Sequence, residues 1–358
     1  MTATTPLAEL TTLSTGGPAR RLVTARNEDE IIACVREADA AGERLLIVGG
    51  GSNLVIADEG FDGTVLQVAS TGHRVDSEDT CGGVFVRVAA GHPWDDLVQF
   101  TVLHAYSGLE ALSGIPGSTG ATPVQNVGAY GADVSATIAS VRCWDRETNA
   151  VRTLFNHDLR FSYRDSLLKR TTVDGSPRYV VLTVDFQLAI GRMSVPIRYA
   201  ELARALGVEV GEKAYATDVR RAVLRLRAGK GMVLDPADRD TFSTGSFFTN
   251  PIVPVEEAEA LPEDAPRYPA GDGTVKLSAA WLIDRAGFGK GFGLPGTPGE
   301  DLAGGAASLS TKHTLAVTNR GGARTADVLA IARAVRDGVR ERFGVDLHPE
   351  PLLIGTAL

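Results

Sequence analysis

One stretch, residues 114–131, restricts the fold of this chain more than any other: it reads GIPGSTGATPVQNVGAYG. Its glycines and two prolines exclude a regular helix and a long central strand. Apolar residues alternate with them, so the stretch is not a polar linker. Two interpretations stay open, a tight structural turn or a loop that wraps a large phosphate-bearing ligand. The second is favoured by so many glycines, because they let the backbone approach a ligand and expose N–H groups to an anion.

A second glycine run, Gly49-Gly50-Gly51-Ser52-Asn53, follows an apolar strand predicted at residues 45–48. It is not the dinucleotide fingerprint of a Rossmann fold, in which the glycines follow the first strand and open a helix. Here they follow the second predicted strand, and residues 54–56 are predicted to be extended. The run is therefore either a loop whose amides hold a phosphate or a plain turn between strands.

Capping signals and periodicity predict the elements around these loops. A strand at 20–24 precedes a helix at 27–41, where Asn27 and Glu30 have the spacing of a helix cap. With the strand at 45–48 they form a β-α-β unit, which predicts parallel strands. Further helices are predicted at 93–107, 217–230, 277–286 and 325–343, paired strands at 140–144 and 151–155, and a surface connection at 254–269. Four arginines of the 217–230 helix are predicted to form a solvated basic face: Arg220, Arg221, Arg225 and Arg227.

Charge and cysteine content limit the partners. The formal net charge is −8, which argues against a surface for nucleic acid. No apolar run is long enough to span a bilayer and no signal segment is evident, so no membrane association is expected. Cys34, Cys81 and Cys143 are scattered and match neither a metal site nor a disulfide framework, so no metal is expected. These features predict a cytoplasmic protein of two or three domains.

Six motifs follow one another in an order that resembles one enzyme family. They are Gly-Gly-Gly-Ser-Asn at 49–53, Gly-Ile-Pro-Gly-Ser-Thr-Gly-Ala at 114–121, Gln-Asn-Val-Gly-Ala-Tyr-Gly at 125–131, Tyr-Arg-Asp-Ser at 163–166, Gly-Ser-Phe-Phe-Thr-Asn-Pro at 245–251 and Pro-Glu-Pro at 349–351. The ordered set resembles the UDP-N-acetylenolpyruvoylglucosamine reductase (MurB) family over residues 13–355. Tyr199, in the segment Arg198-Tyr199-Ala200-Glu201-Leu202, resembles the lid tyrosine of its lid-loop subgroup (type I).

The resemblance implies the architecture. It implies an α+β protein with the FAD-binding fold of the vanillyl-alcohol oxidase (PCMH-type) superfamily and a C-terminal α+β substrate-binding domain. The expected division is a first FAD-binding subdomain at 1–70, joined by the tail 346–358, a second FAD-binding subdomain at 71–230, and a substrate-binding domain at 231–345. A monomer is expected.

The resemblance also implies the reaction. FAD and NADPH are the expected cofactors, and UDP-N-acetyl-3-O-(1-carboxyvinyl)-glucosamine is the expected substrate, reduced to UDP-N-acetylmuramate for peptidoglycan. Hydride would pass from NADPH to flavin N5 and then to the alkene, after which Ser246 would protonate the carbanion. A carbanion is basic enough to take a proton from a serine, and an arginine fork suits the adjacent carboxylate.

Carried over residue by residue, the family's motifs give this expected site. The catalytic residues are Arg164, Ser246 and Glu350, and the substrate contacts are Tyr163, Tyr199, Lys230, Asn250 and His313. His313 stands where a polar contact to the nucleotide is expected. The FAD contacts are Gly49, Gly50, Gly51, Ser52, Asn53, Ser113, Gly114, Ile115, Gly117, Ser118, Gly120, Ala121, Gln125, Asn126, Gly128, Ala129 and Tyr130.

Two other functions stay open at this point. One is another FAD-dependent oxidoreductase of the same fold, such as an alcohol or sugar oxidase, whose reduced flavin would reoxidise rapidly in oxygen. The other is a non-catalytic protein that binds a UDP-sugar, which would purify without flavin. The combination of Ser246, Arg164 and Glu350 favours the reductase.

Overall fold

The computed structural model describes residues 5–79, 81–271 and 273–358. The strands are, in chain order, β1 Ala19–Ala25, β2 Leu45–Val48, β3 Leu54–Ile56, β4 Phe61–Val68, β5 His73–Asp79, β6 Gly83–Ala89, β7 Tyr106–Ser107, β8 Gly128–Ala129, β9 Ala132–Asp133, β10 Ile138–Asp145, β11 Ala150–Phe155, β12 Thr172–Val173, β13 Ser176–Pro177, β14 Tyr179–Ile190, β15 Ile252–Pro254, β16 Arg267–Gly271, β17 Thr274–Leu277, β18 Ala307–Leu309, β19 Val317–Asn319 and β20 Leu352–Ile354.

The α-helices are, in chain order, α1 Glu28–Ala40, α2 Trp94–Leu103, α3 Asn156–Leu159, α4 Leu167–Arg170, α5 Ala200–Leu206, α6 Ala216–Gly229, α7 Val255–Glu259, α8 Ala279–Arg285, α9 Glu300–Ala303 and α10 Thr325–Phe343. In the described residues no helix has both the length and the apolar character that crossing a membrane requires.

The chain divides into two compact units that do not follow one another simply along the sequence. Among the described residues, the first unit comprises residue 5, residues 19–51 and residues 61–233, and the second comprises residues 6–18, 52–60 and 234–358. The boundary after residue 51 falls inside the first glycine motif. The three-part division expected from the sequence remains a prediction.

The first unit begins with the predicted β-α-β arrangement. β1 and β2 both pair in parallel with β4, which lies between them in the sheet. The strands are therefore parallel as predicted, although they do not pair with each other. Helix α1 packs on this sheet through Ile31, Cys34, Val35 and Ala38, all buried, as the helical spacing indicated.

The second sheet of this unit is antiparallel and carries most of its core. Its strand order is β11-β10-β14-β6-β5, and the predicted pairing of β10 with β11 is confirmed. The long central strand β14 also pairs with β7. This pairing corrects the helix predicted at 93–107: α2 ends at Leu103, and Ala105 turns the chain with a φ of 58° before β7 begins.

The second unit packs its own core around helix α10, whose predicted bounds are confirmed together with its stop at Gly344, where φ is 68°. Strand β20 pairs in parallel with β3, so the end of the chain lies beside the segment that follows the first glycine run. A three-stranded sheet, β15-β17-β16, completes the unit. The connection predicted at 254–269 is wrong in part, because it contains α7 and the start of β16, and Ala258 within it is buried.

The start of α1 provides a test of this local structure. Asn27 Oδ1 accepts the Glu30 backbone N–H at 2.9 Å, and Glu30 Oε2 accepts the Arg26 N–H at 2.7 Å. Asn27→Ala removes the cap and is expected to lower the free energy of unfolding of this unit by about 0.5–2 kcal/mol. Urea denaturation followed by circular dichroism measures this, with Asn27→Ser as the control that retains a capping oxygen. An equal loss in both variants would contradict the capping role.

Candidate functional site

In the first unit the two glycine motifs contact each other through their backbones. A Cβ added to Gly50 would lie 2.6 Å from Gly117 Cα, and one added to Gly49 would lie 2.2 Å from Ser118 Oγ. Gly51 and Gly117 have φ values of 61° and 124°, a region that side chains with a Cβ rarely adopt. The motifs thus form one continuous loop surface, and glycine is needed there for packing as well as for any ligand.

The central loop is held from beneath by helix α2 and the loop before it. The Gly114 N–H donates to Asp95 Oδ1 at 2.6 Å, and the Trp94 N–H donates to the Gly117 carbonyl at 3.0 Å. Gly120 packs on Ala90, and a Cβ added to Gly120 would lie 2.6 Å from the Ala90 Cβ and 2.9 Å from its backbone. Ser113 is fully buried and Ile115 packs against the core, whereas Ala121 is exposed.

Asp95 connects this loop to helix α6. Arg220 donates two hydrogen bonds to the carboxylate, at 2.6 and 2.8 Å. Burial alone would raise the pKa of Asp95, but the hydrogen bonds from Arg220 and from the Gly114 N–H lower it below its ordinary value. A single carboxylate therefore fixes the loop at Gly114 to α6.

The basic face predicted on α6 is wrong for two of its four arginines. Arg221 and Arg225 are exposed, but Arg220 is paired with Asp95 and Arg227 is only 8% exposed. Arg227 Nη2 donates to the Met232 carbonyl at 2.7 Å, while its buried Nε has no hydrogen-bond partner among the described residues. Burial lowers the pKa of Arg227 to about 10. Leu224 and Arg227 face Gly114, where a Cβ would lie 3.7 Å from Arg227 Nε.

The rest of the central loop is brought together with the Tyr163-Arg164 motif. Asn126 Nδ2 donates to the Ser162 carbonyl at 3.0 Å, and Arg164 Nη2 donates to the Gly128 carbonyl at 2.8 Å. A Cβ on Gly128 would lie 3.2 Å from Arg164 Nη1. Asn126, Tyr130 and Arg164 all have positive φ, at 47°, 51° and 53°. Such conformations are costly for non-glycine residues and cluster at functional sites. Gln125 directly precedes Asn126 in the chain, and Ala129 belongs to the β8-β9 hairpin.

Tyr130, predicted to contact FAD, lies together with Tyr199 and Lys230, which are predicted to contact substrate. The rings of Tyr130 and Tyr199 are 5.6 Å apart in an edge-to-face arrangement, and Lys230 Nζ lies 5.6 Å from the Tyr130 ring centroid. Lys230 donates to Glu201 Oε2 at 2.6 Å. Burial, with Glu201 and Tyr199 nearby, raises the pKa of Tyr130 to about 12. Tyr163 lies beside Arg164, whose guanidinium carbon is 5.6 Å from its ring.

The second unit brings Ser246 and Glu350 together through their neighbours. The Glu350 N–H donates to the Phe247 carbonyl at 2.8 Å, and the Thr249 N–H donates to the His348 carbonyl at 3.0 Å. Phe247 and Phe248 are fully buried, so the segment that carries Ser246 is anchored beside the Pro-Glu-Pro motif. Asn53 Nδ2 also donates to the Glu350 carbonyl, at 3.3 Å. Ser52, like Asn53, belongs to this unit, whereas Gly49–Gly51 and Arg164 belong to the first.

The two remaining predicted contacts lie on nearby elements of the second unit. Asn250 Oδ1 accepts the Ala279 N–H at 3.0 Å, at the start of α8. The His313 N–H donates to Ser310 Oγ at 3.2 Å in the turn between β18 and β19, and Leu315 of the same turn accepts from the Phe247 N–H at 2.7 Å. The turn that carries His313 is therefore joined to the segment that carries Ser246.

Asp240, which no sequence motif singles out, supports that turn. Its carboxylate accepts the Thr311 N–H at 2.9 Å and Arg320 Nη1 at 2.7 Å, and its side chain is only 4% exposed. Burial alone would raise the pKa of Asp240, but the hydrogen bonds from Thr311 and Arg320 lower it.

The sequence analysis missed Asp240, and it also missed Asp95 and Glu201. The acidic first turn of α2 at Asp95 is a usable signal, whereas Asp240 and Glu201 carry none, since their partners are distant in sequence.

Comparison with protein families identifies a known domain in the N-terminal part of the chain and another in the C-terminal part. Residues 19–154 match the family described as FAD binding domain. Residues 235–354 match the family described as UDP-N-acetylenolpyruvoylglucosamine reductase, C-terminal domain. The chain is thus a flavoprotein with an FAD-binding domain, and the predicted α+β fold class is confirmed.

Relatives that match nearly the whole chain support the same family. The chain is 55% identical over 359 residues to UDP-N-acetylenolpyruvoylglucosamine reductase of Salinispora arenicola, with 98% of this chain and 95% of the relative covered. It is 54% identical to the reductase of Streptomyces coelicolor, with 99% and 90% covered. A crystal structure of the reductase (MurB) from Thermus caldophilus matches with a TM-score of 0.63 at 25% identity, covering 98% of this chain and 97% of that one.

The chain belongs to the UDP-N-acetylenolpyruvoylglucosamine reductase (MurB) family. It is an oxidoreductase of peptidoglycan precursor synthesis (UDP-N-acetylmuramate dehydrogenase, EC 1.3.1.98). Its cofactors are FAD and NADPH, and its substrate class is the enolpyruvyl ether of a UDP-sugar. The predicted family, enzyme class and cofactors are confirmed, whereas the site residues and the lid-loop subgroup remain predictions.

Asp240 provides a test of the second unit. Asp240→Asn is expected to lower the free energy of unfolding by about 2–4 kcal/mol at neutral pH, because Arg320 loses a buried charged partner. Since folding lowers the pKa of Asp240, the wild-type advantage is present above the unfolded pKa of about 3.9 and disappears as pH falls through the folded value. Urea denaturation at several pH values measures this. The control is Asp301→Asn, at an exposed carboxylate of the same unit, and a pH-independent difference would contradict the assignment.

Proposed function

We propose that this chain reduces UDP-N-acetyl-3-O-(1-carboxyvinyl)-glucosamine to UDP-N-acetylmuramate with electrons from NADPH, and that Arg164, Ser246 and Glu350 are its catalytic residues. The observation that carries the proposal is the backbone pairing that fixes Ser246 beside Glu350 in a chain matching the reductases over its full length. A proton donor and a carboxyl group held on one rigid support are suited to finishing a reduction at a carbon atom.

The loops of the first unit fit an FAD molecule. The joined glycine motifs leave bare backbone where a Cβ would clash. Arg227 supplies a buried cation close to Gly114, and its Nε has no hydrogen-bond partner within the described part of the chain. Both features suit a ligand that carries phosphates and electron-rich ring atoms. We assign FAD contact to Gly49, Gly50, Gly51, Ser52, Asn53, Ser113, Gly114, Ile115, Gly117, Ser118, Gly120, Ala121, Gln125, Asn126, Gly128, Ala129 and Tyr130. When bound, FAD takes electrons from NADPH and passes them to the substrate alkene.

The protein residues act on the substrate. Reduction at the terminal alkene carbon leaves an electron pair on the neighbouring carbon, next to the carboxylate, and the positive charge of Arg164 stabilises that negative charge. Ser246 Oγ then gives its proton to this carbon. Glu350, whose backbone is hydrogen-bonded to the segment that carries Ser246, is the carboxyl partner of that serine. The serine recovers its proton from water, so the net addition is one hydride equivalent and one proton.

The nucleotide part of the substrate is assigned to the remaining predicted residues: Tyr163, Tyr199, Lys230, Asn250 and His313. Among these, Lys230 and Tyr199 are proposed to meet its diphosphate. Tyr199 stands directly before α5 and is 46% exposed, which suits a lid tyrosine of the type I subgroup. We further propose a cytoplasmic monomer with two FAD-binding subdomains and one substrate-binding domain, as the family resemblance implies.

Gly117→Val is expected to yield protein that purifies largely without flavin. Valine rarely adopts the φ of 124° found at Gly117, and Gly117 packs closely on the other glycine loop, since a Cβ on Gly50 would lie 2.6 Å from Gly117 Cα. Gly72→Val is the matched control, because Gly72 has a φ of 113° and open space around its Cβ position. Flavin released on denaturation, measured per mole of protein, gives the comparison. Equal flavin loss in both variants would attribute the effect to backbone strain rather than to the cofactor loop.

Ser246→Ala is expected to separate the two halves of the reaction. Stopped-flow spectroscopy without oxygen should show the flavin reduced by NADPH at the wild-type rate, because that step takes no proton from Ser246. Reoxidation by substrate should slow by about 10²–10⁴-fold, as expected for a lost general acid. Ser246→Cys should recover part of this rate, since a thiol also donates a proton.

Two outcomes would contradict this proposal. Wild-type reoxidation by substrate in Ser246→Ala would leave Ser246 as a residue that only supports the turn before Phe247. Rapid reoxidation of the wild-type flavin by oxygen, without reaction with the UDP-sugar, would favour an oxidase.

A further inference from the structure

Lys230, proposed to meet the substrate diphosphate, is held by an acidic residue. Its Nζ donates to Glu201 Oε2 at 2.6 Å, and the two side chains are 29% and 32% exposed. Lys230 follows the last residue of α6, and Glu201 lies in the first turn of α5. The ion pair thus joins the start of one helix to the end of the next.

The two helices form a small substructure with its own apolar cluster. Buried residues of both helices and of the preceding segment make up this cluster: Ile197, Leu202, Ala203, Val219, Ala222 and Val223. Tyr130 packs against it, and the Tyr199 ring stands edge-to-face on Tyr130. The Lys230–Glu201 pair therefore lies at the ends of two helices that are already packed together by this cluster.

An acidic group is unfavourable beside a site for a diphosphate. Two tyrosines and a lysine suit an anion, because they offer hydroxyl donors and a positive charge, whereas the carboxylate of Glu201 repels it. A lysine shared by a carboxylate and a diphosphate must exchange one for the other, and a single partly exposed ion pair is weak enough for that exchange.

We propose that Glu201 occupies Lys230 as a resident anion until the diphosphate of the nucleotide sugar displaces it, and that Glu201 thereby sets the affinity for that ligand. This inference rests on the proposed function, which assigns Lys230 to the diphosphate. Glu201 is a positioning residue: it keeps the ammonium group beside the Tyr130 ring and lowers ligand affinity in return.

The test measures the binding of UDP-N-acetylglucosamine to the FAD-loaded enzyme by isothermal titration calorimetry at low ionic strength. Glu201→Gln is expected to lower Kd by about two- to fivefold, the range that corresponds to a weak exposed ion pair. The gain should shrink at high salt, and Lys230→Met should raise Kd. In the Lys230→Met background the gain from Glu201→Gln should be clearly smaller, because no ion pair remains to be broken. Glu209→Gln removes an exposed charge from the segment between α5 and α6 and should leave Kd unchanged.

Three results would overturn the exchange. An unchanged or higher Kd in Glu201→Gln would make Glu201 a support rather than a competitor. If Glu201→Gln lowered Kd equally with and without Lys230, the effect of Glu201 would be electrostatic repulsion of the ligand and not competition for Lys230. A gain in Glu209→Gln of the same size would show a general charge effect.

Turnover separates this inference from the proposed function. Wild-type enzyme that binds UDP-N-acetylglucosamine but does not reduce the enolpyruvyl ether would contradict the reaction, while the Kd comparison still decides the exchange. Normal turnover with no change of Kd in Glu201→Gln would contradict the exchange alone. Absence of any UDP-N-acetylglucosamine binding by the wild type would overturn both.

Discussion

The close approach of two backbones governs the first unit. Gly50 and Gly117 come so near that a Cβ on one would overlap the main chain of the other. The second loop contains only short elements, the 3-10 helix Thr119–Ala121 and the two-residue strand β8. Contacts from outside the loop therefore help to hold it: Asp95 on Gly114, Trp94 on the Gly117 carbonyl, and Ala90 beneath Gly120. The sequence analysis treated a tight structural turn and a ligand-binding loop as alternative explanations for these glycines. The structure shows packing at the same glycines that the family motif assigns to FAD.

The sequence was sufficient where structure is local. Helices α1 and α10 were predicted because their caps, apolar stripes and stops lie within their own residues. The family motifs were sufficient for the fold class. The β7 strand and the helix α7 were missed because two or five residues carry too little periodicity to separate them from a loop. Their stability comes from pairing and burial that the sequence does not display.

The arginines of α6 show why side-chain environment was harder to predict than helix position. Arg220 and Arg227 are two turns apart and share one face, whereas Arg221 and Arg225 share another. Spacing alone assigns all four to solvent, because arginine is seldom buried. What buries two of them is the Gly114 loop and Asp95, which are more than a hundred residues away. The positive φ values of Asn126, Tyr130 and Arg164 were hidden for the same reason, since only tertiary contacts maintain them.

Helix α6 connects the two kinds of ligand contact that we propose in this unit. Arg220 fixes Asp95, and Asp95 fixes the N–H of Gly114 in the cofactor loop, while Lys230 at the other end of the helix stands beside Tyr130 of the same loop. A shift of α6 along its axis would therefore disturb Gly114 and Lys230 together. Its cations are balanced differently at the two ends. Asp95 accepts hydrogen bonds from both Arg220 and the Gly114 N–H, so separating Arg220 from Asp95 would break up a hydrogen-bond network. Glu201, in contrast, binds Lys230 through one partly exposed contact. The difference makes the Arg220 end suited to permanent structure and the Lys230 end suited to exchange with a ligand.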